Sequence, residues 1–173
     1  MNVCAYPRYA YRRLDDLYLK DESHPSLLNW KKLSRVCCFT QADLITWQNY
    51  VNWSFISYYQ QLDEPTIDLF HDRVDWSYVS LRQTMSEDFL RQNTSRLIWN
   101  YLSQRRAFSD TFLRDFRSEL NWENILRNYL VSNEQLLNFL DTLNPFYVRQ
   151  YRPEFYENYH LDMYYGLTHC GEQ

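Results

Sequence analysis

The chain has 173 residues, enough for one domain or one short repeat array, and it is rich in rings, with sixteen tyrosines, ten phenylalanines and six tryptophans. Its two glycines, Gly166 and Gly171, are too few to turn the hairpins of an all-β protein or to build a glycine-rich phosphate loop. A net charge of −4 argues against a broad electropositive surface for nucleic acid. No apolar run approaches the length of about 18 residues that crosses a membrane, and no signal peptide is visible, so a soluble, intracellular protein is expected.

Residues 1–29 form an N-terminal flank in which Tyr6-Pro7 stands one period before the first regular unit. From Trp30 onward, Trp30, Trp53, Trp76, Trp99 and Trp122 recur at a constant step of 23 residues, and only Trp47 falls outside the series. Three residues after each leading tryptophan comes Leu33, Ile56, Val79, Leu102 or Ile125; nine after it comes Phe39, Leu62, Met85, Phe108 or Val131. These offsets describe one face of a helix. Ten residues after the tryptophan stands Thr40, Asp63, Ser86, Ser109 or Ser132, each able to accept a hydrogen bond from the free N–H groups of a new helix.

The second helix carries the apolar columns Leu44, Ile67, Leu90, Leu113, Leu136 and Trp47, Phe70, Asn93, Phe116, Phe139, broken only at Asn93. The residue before each tryptophan is Asn29, Asn52, Asp75, Ile98 or Asn121, so four of five can cap the next helix. Asn144-Pro145 continues the series, with proline at the first helical position, where its missing N–H costs nothing. Each unit reads as two helices of roughly nine to eleven residues, too short to persist alone. The expected fold is all-α: an α-solenoid of about five 23-residue helix pairs over 30–144, with degenerate capping units in 1–29 and in the tyrosine-rich segment 145–173.

The unit "DWSYVSLRQTMSEDFLRQ" resembles the tryptophan-led repeats D-W-x-x-I/V-S-x-x-Q-x-L-S-x-x-F-L/I of proteins encoded by large cytoplasmic DNA viruses such as phycodnaviruses, mimivirus relatives and marseilleviruses. The likeness covers Trp30 through Asn144 and is strongest in the units led by Trp53 and Trp76, which keep Ser57 or Ser80 and Gln60 or Gln83; Leu126 and Tyr129 replace those residues in the unit led by Trp122. The resemblance implies a viral repeat protein that works through its surfaces, in the host cytoplasm or as a minor virion component, and it carries over no catalytic residue.

The residues themselves point the same way. No GxSxG, HExxH or Walker-type string occurs, the four histidines are scattered, and the expectation is no enzyme, no cofactor and no metal. Cys4, Cys37, Cys38 and Cys170 lack CxxC spacing and read as small reduced hydrophobes. The tryptophan series reads as core rather than as a base-stacking ladder. Two sets of residues are candidates for partner binding. Arg82 and Arg105 share one slot of successive first helices, and Arg91 and Arg114 share one of successive second helices. They read as a solvated face laced with (i, i+4) pairs or as a docking ladder for an acidic protein segment or phosphates, with a nucleic-acid-binding module as the alternative function. Tyr147, Tyr151, Tyr156 and Tyr159 lie where a cap ordinarily calls for polar residues, and a tyrosine surplus anchors interfaces, so a protein partner or self-association is expected there.

Overall fold

The computed structural model describes residues 25–166. Tyr6, Tyr9, Tyr11, Tyr18, Cys4, His24, His169 and Cys170 lie outside the described residues. Among those described are thirteen α-helices and a 3-10 turn at Pro25–Leu27, with no strand. The chain forms two compact units that divide between Ile98 and Trp99.

The first unit holds three helix pairs: α1 (Trp30–Val36) with α2 (Gln41–Trp47), α3 (Trp53–Tyr59) with α4 (Glu64–Leu69), and α5 (Trp76–Arg82) with α6 (Glu87–Gln92). Within it α1 packs on α3 and α3 on α5. The second unit repeats the scheme with α7 (Trp99–Arg105) and α8 (Asp110–Asp115), α9 (Trp122–Arg127) and α10 (Asn133–Leu137), then α11 (Pro145–Tyr151) and α12 (Pro153–Asn158), followed by a short α13 (Leu161–Tyr164). Here α7 packs on α9 and α9 on α11, while α12 and α13 close the array. Each unit is thus a stack of helix pairs with the period read from the tryptophans.

The caps act where the sequence places them. Asn29, Asn52, Asp75, Asn121 and Asn144 accept from N–H groups in the first turn of α1, α3, α5, α9 and α11, and Thr40, Asp63, Ser86, Ser109 and Ser132 do so for α2, α4, α6, α8 and α10. The helices are shorter than expected, at five to seven residues in the regular pairs. The cause is visible at the eighth residue of the repeat, where Cys37, Gln60 and Gln83 turn extended with ψ near 150° and end the first helix.

The core column is the residue three after the tryptophan: Ile56, Val79, Leu102, Ile125 and Val148 are fully buried, as are Ile67, Leu113 and Leu136 of the second helices. The leading tryptophans stand further out. Trp30 is buried, whereas Trp53, Trp76, Trp99 and Trp122 are only half-buried. Trp53 donates to Gln48 O at 2.9 Å, Trp76 to His71 O at 2.8 Å and Trp122 to Arg117 O at 2.9 Å, always five residues back. Each ring also lies on the aromatic residue of its own second helix, with centroids at 4.7 Å for Trp53–Phe70, 4.9 Å for Trp99–Phe116 and 5.0 Å for Trp122–Phe139. At the exception, Asn93 turns its amide onto Phe89 O at 3.0 Å, and the Arg96 guanidinium covers Trp76 at 5.8 Å instead.

The cysteine expectation holds for Cys37, which is buried and free, with burial pushing its thiol above the ordinary value. It fails for Cys38, which is disulfide-bonded. Among the described residues no helix is long and apolar enough to cross a membrane.

Candidate functional site

Stacking short helices leaves backbone groups at every repeat boundary, and buried ones must be paired. Two polar side chains per repeat supply the partners. The serine fifth in the repeat bonds back within its helix, as Ser34 to Trp30 O at 2.7 Å and Ser57 to Trp53 O at 2.8 Å. The same oxygen accepts the N–H of the residue that opens the next repeat: Asn52 N to Ser34 Oγ at 2.8 Å, Asp75 N to Ser57 at 2.9 Å, Ile98 N to Ser80 at 3.0 Å and Asn121 N to Ser103 at 3.0 Å.

The second joint is a clamp on the end of the preceding first helix. Gln83 donates to Ser57 O and Gln60 O, both at 2.8 Å, and accepts from Leu62 N at 2.8 Å. Gln60 does the same one repeat earlier, with Cys37 O at 2.8 Å, Ser34 O at 3.3 Å and Phe39 N at 3.3 Å. In the second unit, α9 is one residue shorter and the clamp moves with it to Asn128, which donates to Arg106 O at 2.6 Å and Ser103 O at 3.3 Å. Arg152 then fills the slot one repeat on, donating to Leu126 O at 2.7 Å, Asn128 O at 2.7 Å and Val131 O at 3.1 Å. Burial pulls the Arg152 guanidinium below the usual arginine range, with the ring of Tyr129 beside it acting the other way. The serine and glutamine stand out in the sequence as a recurring pattern; Asn128 and Arg152 carry no such signal.

Of the candidate arginines, Arg82 on α5 is half-buried with its guanidinium 4.7 Å from the centre of the Tyr58 ring. Arg91 on α6 is half-buried in the same unit. Arg105 and Arg114 belong to the second unit, where both are exposed; Arg114 borders a concavity of about 460 Å³ with Asp115, Arg117, Ser118, Asp141 and Thr142. Arg117 closes on Asp141 at 2.6 Å, and that hydrogen bond holds the carboxyl below its ordinary value.

The candidate tyrosines divide. Tyr156 is 4% exposed and donates to Asp162 at 2.7 Å, with Phe155 and Leu161 buried beside it in α12 and α13. Tyr151 is half-buried, bonded to Arg127 and reaching Glu123 at 3.3 Å, with the Arg127 guanidinium 4.5 Å from its ring centre. Tyr147 lies over Tyr151 at 6.0 Å, and Tyr159 stays exposed beside Phe155. Most of these rings therefore serve the cap that ends the array, and Tyr159, with Tyr164 and Met163, remains at the surface.

A different surface emerges on the first unit. The first helices α1, α3 and α5 contain Lys31, Lys32, Arg35 and Arg82 and no acidic residue. Lys31 lies 5.7 Å from the Phe55 ring centre and Arg35 5.5 Å from that of Tyr59; Tyr58 meets Tyr78 edge to face at 5.1 Å. The second helices α2, α4 and α6 carry Asp43, Glu64, Asp68, Glu87 and Asp88 against Arg91 alone. Between α2 and α4 the exposed Ile45 and Leu69 border a concavity of about 310 Å³ with Phe70, His71, Asp72 and Arg73. Among the described residues no three His, Cys, Asp or Glu side chains converge as metal ligands. Compared with protein-family models, curated proteins and solved structures, the chain matches none of them.

Proposed function

We propose that the chain is a non-enzymatic helical-repeat scaffold of viral origin that works by binding protein through its helix layers, in the host cytoplasm or as a minor component of the virion. One observation carries the scaffold reading: the polar side chains that recur with the repeat are spent on joining one repeat to the next. Ser34, Ser57, Ser80 and Ser103 and the clamps Gln60, Gln83, Asn128 and Arg152 all bond to backbone of a neighbouring repeat. What remains for recognition is the outward surface of the helices. The viral assignment rests on the likeness of the tryptophan-led unit to repeats of large cytoplasmic DNA viruses.

The test is a mass spectrum of purified particles together with affinity capture of the tagged chain from infected cells; co-purification with capsid or other viral proteins is the expected result. The competing reading uses Arg82, Arg91, Arg105 and Arg114 to hold nucleic acid. Affinity for a phosphate backbone falls steeply with salt. An electrophoretic shift on DNA or RNA that survives physiological salt, and disappears when those four arginines become serine, would replace the scaffold reading.

A further inference from the structure

In the first unit, burial shows which way each helix layer faces. Trp30, Leu33 and Ser34 of α1 point inward, leaving Lys31, Lys32 and Arg35 exposed; Thr66 and Ile67 of α4 point inward, leaving Asp68 and Leu69 exposed. The outward surface of the first helices is cationic and aromatic. The second-helix side is acidic, with Asp68 exposed on α4, Asp88 on α6, and Asp72 bordering the aliphatic groove of Ile45 and Leu69.

We propose that these two surfaces are complementary halves of one contact, so that the α1–α3–α5 surface of one copy docks on the α2–α4–α6 surface of a second copy. The inference rests on the scaffold reading and names the partner as the chain itself. Charge complementarity decides the occupant. Lys31 and Arg35 already lie over the Phe55 and Tyr59 rings, which occupies the ring faces that a nucleobase would stack on. A guanidinium over a ring keeps N–H groups free at its edge, and carboxylates such as Asp68 and Asp72 suit such a fork. Arg73, at the edge of the groove, and Arg91 of α6 oppose the contact; the Arg73 guanidinium is drawn aside to Gln48 O at 3.2 Å.

The contact is head-to-tail. Two different patches meet, so no twofold axis closes the pair, and further copies can add at either end. It is also small. Three seven-residue helices about 10 Å long at spacings of about 8–10 Å present on the order of 300 Å², well under the roughly 800 Å² per partner of a stable complex. Association is therefore weak and electrostatic, and it becomes effective where copies are concentrated.

Light scattering or sedimentation of the full chain across a concentration series tests this. The average mass is expected to rise with concentration at low ionic strength and to return to the monomer near 1 M salt, where the screening length is about 3 Å. Lys31→Glu with Arg35→Glu cancels the positive charge of the first surface, and Asp68→Lys with Asp72→Lys removes most of the negative charge of the second. Each pair should weaken self-association about tenfold or more. Mixing the two variants should restore it, which a folding defect in either could not do.

A wild-type chain that stays monomeric at every concentration, or an association untouched by either pair, overturns the proposal. Capture of an acidic peptide by a monomeric chain overturns it too, since the surface would then have a different occupant. A monomer still found with capsid proteins leaves the scaffold reading standing. Retention on oligo-dT abolished by the Lys31 and Arg35 changes would overturn both.

Discussion

The first unit joins its repeats with neutral amides, and the second with a shorter amide and then a guanidinium. Gln60 and Gln83 each give two donors and one acceptor to the preceding repeat; Asn128 gives two donors from a side chain one methylene shorter; Arg152 gives donors only, to three carbonyls, and to Asn133 at 3.1 Å. The difference teaches that the slot demands donors aimed at the end of a helix rather than a particular residue. A charged clamp is the more consequential one, because Arg152 serves three buried carbonyls where each amide serves two.

The comparison is broken most directly at the core. Ile56→Ala in the first unit and Ile125→Ala in the second each remove a fully buried side chain, and each should lose about 2–5 kcal/mol in denaturant titration. Next come the clamps. Arg152→Ala should cost about 3 kcal/mol and Gln83→Ala about 1–3 kcal/mol, since the first loses charge-assisted bonds and both orphan buried backbone groups. Equal losses would show that the charge adds nothing.

The serine joint gives a smaller effect. Ser57→Ala should lose about 1 kcal/mol, whereas Leu126, which holds the same slot at 1% exposure, should lose more as Leu126→Ser because a buried leucine goes with it. The smallest effect is in alkali. Burial, with Tyr164 beside it, pushes the Tyr165 hydroxyl up to about 12. Its folded pKa lies above the unfolded value of about 10, so its share of stability is intact below about pH 10 and is lost as pH rises through about 12. Circular dichroism across that range should show the end of the second unit loosening, where Tyr165, just past α13, donates to Leu140 O at 3.1 Å.

Particular residues show how far the sequence could be read. The period, the ten side-chain caps and the apolar columns were legible because each is a local relation: Asn52 caps Phe55 N three residues on, and Ser109 caps Phe112 N. Helix length was not, since the stop comes from a backbone turn at Gln60 and Gln83 that is locked by a partner one repeat away. Tryptophan depth was overread. A large ring at a strict period suggests the centre of a core, but Trp76 is only half-buried, with its indole N–H on His71 O. Shared slots and a local excess of arginine mark the candidate arginines, but neither reveals that Tyr58 lies under Arg82. The basic surface of α1 was hidden by the net charge of the chain, which averages over two layers of opposite sign.

The serine joint reaches 18 residues, and the bonds of a single glutamine reach 21, 23 and 26. Every one of those spans crosses one repeat boundary. Deleting a single codon between Ser57 and Asp75 pulls the latch out of step, and deleting one between Gln60 and Gln83 does the same to the clamp. Inserting a complete 23-residue copy leaves every joint at its original span, because the newcomer brings its own serine and its own clamp. A gene of this kind can lengthen or shorten by recombination between its own similar segments and still encode a folded product, while slippage by one triplet is selected against. Within this architecture the number of repeats can vary while their length is held fixed.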